Sequence, residues 1–233
     1  MNHLVIIPTY NEAESIEKII PEIFKLYNQI NILTVDDSSP DGTAKLIEKL
    51  QIQYKNLYLL SQEKKQGLKK AYIEGMKWGL AHGFDVFSTC DADYSHNPKY
   101  IKDIIEYLNE GYEAIFGSRY IKNGNTRETD WFKNFISIGG NIYARFILGK
   151  KIYDWTEGFN TYTKSALEKI NLDLITAKGF IMHAQMKYRA VNSNCKYKEF
   201  PIDFLKREKG CSKMDFNIIF EAFFCILKIK LGL

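Results

Sequence analysis

Val86-Phe87-Ser88-Thr89-Cys90-Asp91-Ala92-Asp93-Tyr94-Ser95-His96-Asn97-Pro98 is the stretch on which the reading of this 233-residue chain turns. An apolar, β-branched run ends abruptly in two carboxylates two residues apart. Asn97-Pro98 then opens a helix, with Pro near the first helical position, where its missing N–H costs nothing. Two carboxylates leaving a buried strand repel each other unless a cation joins them. An all-oxygen site of this kind suits Mg²⁺ or Mn²⁺, ions that complete their shell with substrate phosphates. The competing reading is a loop that caps the helix, because a bare D-x-D is a common pattern.

The chain around this stretch separates the two readings. Residues 3–8 form a short buried strand followed by Thr9-Tyr10-Asn11-Glu12, and Asn11 or Thr9 is the expected cap of the next helix. Ile30–Val35 is a second strand ending in Asp36-Asp37, and Leu57–Leu60 a third. Residues 67–83 read as a helix, Phe84–Cys90 as the fourth strand, and Ala114–Gly117 as the fifth. Short apolar strands alternating with amphipathic helices give an α/β fold, a mostly parallel, Rossmann-like sheet covered by helices. In a doubly wound order 3-2-1-4, ligands sit beyond the carboxyl ends of strands 1 and 4. Polar clusters fall at the ends of strands 1, 2 and 4, which loop composition alone explains poorly.

Other functions are disfavoured by what is missing. No G-x-G-x-x-G follows the first strand and no G-x-x-x-x-G-K-[ST] occurs, which argues against a dinucleotide-binding dehydrogenase and a P-loop NTPase. No helix-turn-helix, finger or RNP-like motif supports nucleic-acid binding. Cys90, Cys195, Cys211 and Cys225 lack C-x-x-C spacing and read as reduced thiols of a cytoplasmic protein. The N-terminus does not read as a signal peptide, and no stretch approaches the roughly 20 apolar residues of a membrane span. Net charge is +4, with residues 1–120 at −4 and residues 121–233 at +8. The acidic half suits a cation, and the basic half suits phosphates or a membrane surface.

The second half is less regular. Residues 122–129 read as a polar loop, Trp131–Leu148 as an amphipathic helix, residues 150–162 as irregular chain plus a strand, and residues 179–191 as a helix. Tyr197–Phe204 alternates as a strand before a basic loop at residues 205–213. The expected organisation is one domain over residues 1–211, followed by a C-terminal apolar helix over 212–233. That helix packs on the core, on a second copy of the chain, or on a membrane surface through Lys228 and Lys230.

With these motifs placed, the chain resembles glycosyltransferase family 2, with its GT-A (nucleotide-diphospho-sugar transferase) fold, and within it the polyprenyl- (dolichyl-) phosphate mannosyltransferases. The matching stretches are Ile7–Glu12, Val35–Thr43, Asp91–Pro98 and Gly117–Tyr120. The resemblance implies that Pro8, Tyr10, Glu12, Asp37 and Ala92 line the nucleotide, and that Asp91 and Asp93 hold Mg²⁺ or Mn²⁺ on the donor diphosphate. It places Arg119 against phosphate, Ser137 and Lys133 at a lipid phosphate, and Arg207 and Lys213 in a closing basic loop. It implies a nucleoside-diphosphate sugar donor, GDP-mannose favoured, and a polyprenyl phosphate acceptor, with peripheral contact on the cytoplasmic face of a membrane. Three departures fall on the acceptor side: Lys133 where Arg is usual, Asp154–Asn160 in place of a pattern nearer D-x-T-S-G-F-R, and His183 and Gln185 in place of Gln and Glu. A glycan hydroxyl acceptor therefore stays open. It would need a general base, for which Glu157 is the candidate, the bland alternative being a surface ion pair. A non-catalytic nucleotide-sugar-binding subunit is the reading from another class.

Overall fold

The computed structural model describes residues 1–126, 131–204 and 216–232, except the side chains of residues 126, 131–133 and 216–221. The basic loop with Arg207 and Lys213, and the side chain of Lys133, lie outside the described residues. The chain alternates β1 (His3–Thr9), α1 (Ala13–Leu26), β2 (Asn31–Asp36), α2 (Thr43–Gln53), β3 (Leu57–Ser61), α3 (Leu68–Ala81) and β4 (Val86–Thr89). A 3₁₀ turn at Pro98–Tyr100 leads into α4 (Ile101–Asn109), then β5 (Ala114–Ser118), β6 (Asn125–Thr126) and α5 (Trp131–Leu148). β7 (Asn160–Thr163), α6 (Lys164–Ile170), α7 (Ile181–Asn192), β8 (Tyr197–Pro201), β9 (Asp203–Phe204) and α8 (Phe216–Leu231) complete it.

The main sheet has seven strands in the order β3-β2-β1-β4-β7-β5-β8, and β6 pairs with β9 in a small second sheet. The expected 3-2-1-4 order is present, and all of its pairs are parallel. β1 shows why both sheet faces are covered. Leu4 and Ile6 point into a core shared with α3, α5, α6, α7 and α8, while Val5 and Ile7 point into one shared with α1, α2 and α4. α3 lies close on the sheet because two of its residues lack a Cβ. A Cβ at Gly79 would stand 2.7 Å from Leu4 Cδ2 and from Phe87 Cε1, and one at Gly75 2.8 Å from Ile6 Cγ2.

Two features depart from the sequence expectation. β7 inserts antiparallel between β4 and β5, pairing Ser88 with Thr161 and Phe116 with Asn160. An antiparallel strand enters the sheet at the edge where its parallel neighbours leave it. The loop before β7, residues 153–159, is thereby delivered to the same edge as Asp91–Asp93 and Arg119. Neither Thr9 nor Asn11 caps α1. The Thr9 hydroxyl donates to Asp36 Oδ1 at 2.9 Å, and Asn11 takes a positive φ of 59°. Two N–H groups at the start of α1 are instead met from beyond β2, by the loop and the first residue of α2: Glu12 N donates to Thr43 Oγ1 (3.1 Å) and Ala13 N to Asp41 Oδ2 (3.2 Å).

α8 packs on α5 and α7, with Ile226 and Ile229 buried in the core. Its Phe223 stacks on Tyr143 of α5 at 3.8 Å between centroids. The bulky residues of α5 face outward: Phe146 is 80% exposed, Phe135 69% and Ile142 62%, while the smaller Asn141 and Ala144, with Leu148, are buried. Among the described residues no helix is long and apolar enough to cross a membrane.

Candidate active site

The carboxyl ends of β1, β2 and β4 meet because their registers bring them together. Thr9 pairs with Asp36, Asp37 N donates to Thr9 O (2.9 Å), and Cys90 N donates to Ile6 O (3.0 Å). Beyond them opens a cavity of about 370 Å³, lined by Pro8, Thr9, Tyr10, Glu12, Asp37, Asp91, Ala92 and Asp93 together with Lys65, Gly67, Leu68 and Ala71. The residues expected at the nucleotide and at the metal thus share one cavity at the switch point of the sheet.

Asp37 has a structural task there. Its two oxygens accept the N–H groups of Gln66 (2.6 Å) and Gly67 (2.8 Å), fastening the start of α3 to the end of β2. Gly67 sits at φ +88°, a conformation that side chains rarely adopt. Lys65 then places its ammonium 3.4 Å from the centre of the Tyr10 ring, inside the same cavity.

Asp91 is held from two sides. The Tyr72 hydroxyl donates to Asp91 Oδ1 at 2.9 Å, and burial together with the Asp91 charge pushes the phenol well above its ordinary pKa, so it remains a donor. The Asp91 backbone N–H donates to His96 Nδ1 at 3.0 Å. Asp93 is largely buried and accepts from the Ser95 N–H (3.1 Å) and the Ser95 hydroxyl. Among the described residues no group of three or more His, Cys, Asp or Glu is arranged to hold a metal. Two carboxylates opening on a cavity nonetheless fit an ion that takes its remaining oxygens from a diphosphate.

A second group stands beside this cavity. Arg119 is bidentate to Asp154, Nε to Oδ2 at 2.8 Å and Nη2 to Oδ1 at 2.9 Å, and its backbone N–H also donates to Oδ2 (3.0 Å). Its Nη2 donates to Thr156 Oγ1 as well (2.9 Å). Burial works against the Arg119 charge, but Asp154 and Glu157 more than offset it and raise its pKa. The Arg119 guanidinium lies 5.1 Å from the ring of Tyr120, whose hydroxyl is 3.0 Å from Ser137 Oγ, so Tyr120 stands between Arg119 and Ser137.

Glu157 is neither a surface ion pair nor an open base. It is 1% exposed, with Oε1 2.8 Å from His96 Nε2 and Oε2 3.2 Å from Arg119 Nε. Burial pushes its pKa up, but Arg119 and His96 outweigh that and hold it below the usual carboxylate range. Protonating it would strip Arg119 of a counterion in a dry site. Around it, His183 and Lys187 are buried, the first lowered to about 3 and the second lowered, both chiefly by burial. Lys187 Nζ donates to the Asp154 carbonyl at 2.7 Å. Gln185 holds Thr176 N and Ala177 N on its Oε1, at 2.9 and 2.8 Å.

Tyr72, Lys65 and the role of His96 were not assigned from the sequence. Tyr72 reads as one more apolar position on a helix face, and nothing local says that its hydroxyl ends at Asp91. His96 belongs to the D-x-D stretch, but its partner Glu157 is brought to it by β7.

The family description Glycosyl transferase family 2 matches residues 4–171. The chain is 38% identical over 222 residues to the polyprenol monophosphomannose synthase of Mycolicibacterium smegmatis, covering 95% of this chain and 84% of that protein. It is 35% identical over 222 residues to the undecaprenyl-phosphate mannosyltransferase of Micrococcus luteus, covering 95% and 91%. Among solved structures, glucosyl-3-phosphoglycerate synthase from Mycobacterium tuberculosis, in complex with Mn²⁺, uridine diphosphate and phosphoglyceric acid, superposes with a TM-score of 0.68. That match has 15% identity and covers 99% of this chain and 77% of the other. A mannosyltransferase from Pyrobaculum calidifontis, in complex with GDP-Man and Mn²⁺, gives a TM-score of 0.61 at 14% identity, covering 98% and 69%. These two share the GT-A fold with this chain.

Proposed function

Because the chain belongs to glycosyl transferase family 2, we propose that it transfers mannose from GDP-mannose to a polyprenyl phosphate, with inversion at the sugar carbon. It is a glycosyltransferase, and the relatives named for polyprenol- and undecaprenyl-phosphate mannosyl transfer support the acceptor class. The observation that carries the reading is the single cavity in which Pro8, Tyr10 and Glu12 face Asp91 and Asp93 across the switch point, with Arg119 alongside.

In this reading Tyr10 and Lys65 hold the nucleotide, and Asp37 keeps the cavity wall in place through Gln66 and Gly67. Asp91 and Asp93 hold Mg²⁺ or Mn²⁺, which, when bound, would offset the negative charge growing on the departing diphosphate. Tyr72 fixes the Asp91 carboxylate so that no reorganisation is needed during the reaction. Arg119 adds a permanent positive charge, oriented by Asp154, for an incoming or departing phosphate. A lipid phosphate, with a second pKa of about 6, arrives mostly ionised and needs no general base. That suits a site whose candidate base, Glu157, is already committed to Arg119 and His96.

A polyprenyl acceptor also calls for a membrane surface. The outward stripe Phe135, Ile138, Ile142 and Phe146 of α5, continued by Phe223 and Phe224 of α8, suits insertion among lipid acyl chains. Lys228 and Lys230 near the end of α8, in the basic half of the sequence, suit anionic headgroups. The test is a screen of nucleotide sugars with Mn²⁺ or Mg²⁺, with and without polyprenyl phosphate, following released nucleoside diphosphate. GDP release from GDP-mannose that requires polyprenyl phosphate is expected. Release driven by a glycan hydroxyl and not by polyprenyl phosphate would overturn the acceptor assignment.

A further inference from the structure

The structure assigns to Glu157 a positioning role that reaches both halves of the site at once: Asp91 through His96, and Arg119 directly. The assignment rests on the proposed reading of Asp91 as a metal ligand and Arg119 as an anion-facing cation. Its basis is the division of labour between the two carboxylate oxygens. The Asp91 N–H donates to His96 Nδ1 at 3.0 Å, so the imidazole carries its proton on Nε2. That Nε2–H lies 2.8 Å from Glu157 Oε1. The same Oε1 accepts the N–H groups of Gly158 (2.8 Å) and Phe159 (3.1 Å), so the carboxylate cannot turn without giving up three donors. His96 is held flat as well, its ring stacked on Phe159 with centroids 5.3 Å apart.

The other oxygen works differently. Glu157 Oε2 stands 3.2 Å from Arg119 Nε, but the hydrogen on that nitrogen is directed to Asp154 Oδ2 at 2.8 Å. Among the described residues Oε2 is buried and takes no hydrogen bond, so Arg119 meets it as charge. His96 therefore needs an acceptor from Glu157, whereas Arg119 needs its negative charge. One side chain, entering on the loop before β7, thus aligns the end of β4 and holds a guanidinium that comes from the end of β5.

The two functions can be separated by substitution. Glu157→Gln keeps an acceptor for His96 and removes the charge from Arg119. His96→Asn keeps an acceptor for the Asp91 N–H and loses the reach to Glu157. Mn²⁺ binding in the presence of GDP, read by electron paramagnetic resonance without turnover, reports the first arm. The KM for a short-chain polyprenyl phosphate, compared with kcat, reports the second. His96→Asn is expected to weaken Mn²⁺ binding by roughly 10-fold, in the range seen when a partner of a metal ligand is lost, with the acceptor KM little changed. Glu157→Gln is expected to raise the acceptor KM by roughly 10-fold, about the loss of one charged contact, with Mn²⁺ binding within about 2-fold of the parent. Glu157→Ala should do both. A His96→Asn or Glu157→Gln variant that shifts the two readouts together, or neither of them, overturns the assignment even where the Ala variant does not fold. A parent protein that takes up no Mn²⁺ with GDP would instead overturn the reading of Asp91 on which the assignment rests.

Discussion

Asp154→Asn tests whether the Arg119 cluster is a buried ionic unit or a decorative pair. Asp154 is fully buried and accepts three N–H groups of Arg119, from the backbone, Nε and Nη2, at 2.8 to 3.0 Å. The substitution keeps the shape, and the main chain stays pinned by Glu199 on its N–H (3.0 Å) and Lys187 on its carbonyl (2.7 Å). What changes is one oxygen, which becomes an NH₂ facing a guanidinium N–H, and one lost charge. Removing one partner of a buried pair costs about 3–5 kcal/mol. Glu157 remains as a counter-charge at 3.2 Å, so the lower end, about 3 kcal/mol, is expected. For a chain of this size that corresponds to a fall in Tm of roughly 6–12 °C. An exposed pair would give about 0–1 kcal/mol, so urea unfolding separates the two cases. A loss below about 1 kcal/mol would refute the buried-unit account.

Three further outcomes follow from the same geometry. Tyr72→Phe removes the 2.9 Å hydrogen bond to Asp91 Oδ1 while keeping the ring; folding should lose about 1 kcal/mol, and the Mn²⁺ concentration giving half-maximal activity should rise, as metal titrations would show. Phe146→Glu, on the outward face of α5, should weaken flotation with anionic vesicles without lowering Tm, since the side chain is 80% exposed. Burial lowers His3 to about 4 and His183 to about 3, so the folded chain keeps both neutral where the unfolded chain, near 6.5, protonates them. Their neutral forms support full stability above about pH 6.5, and each should cost about 1.4 kcal/mol per pH unit as the pH falls toward 4. Urea unfolding at pH 7 and pH 5.5 measures that slope, and His3→Gln, which can keep the bond to Ser88, should reduce it.

The cavity at the strand ends was legible because the residues that line it are local. Pro8–Glu12 and Asp91–Asp93 each leave one strand, and parallel packing alone brings those strand ends together. The group around Arg119 was not, because it depends on pairings distant in sequence. That residues 160–163 would enter antiparallel between β4 and β5 is decided by sheet assembly, and that choice carries Asp154 and Glu157 to Arg119 and His96. The cap of α1 was misplaced for the same reason: Thr9 and Asn11 are suitable residue types, but Asp41 and Thr43, about thirty positions on, reach the helix start. On α5 the apolar period was legible but the face that meets the core was not, since periodicity does not say which face is buried.

In the proposed reaction Asp91 anchors the donor diphosphate for transfer to a lipid phosphate. GDP release from GDP-mannose with polyprenyl phosphate and Mn²⁺ by Asp91→Asn measures it most directly. A fall of roughly 10²–10³-fold with Tm near that of the parent is the predicted result, whereas turnover within a few-fold of the parent would contradict the account.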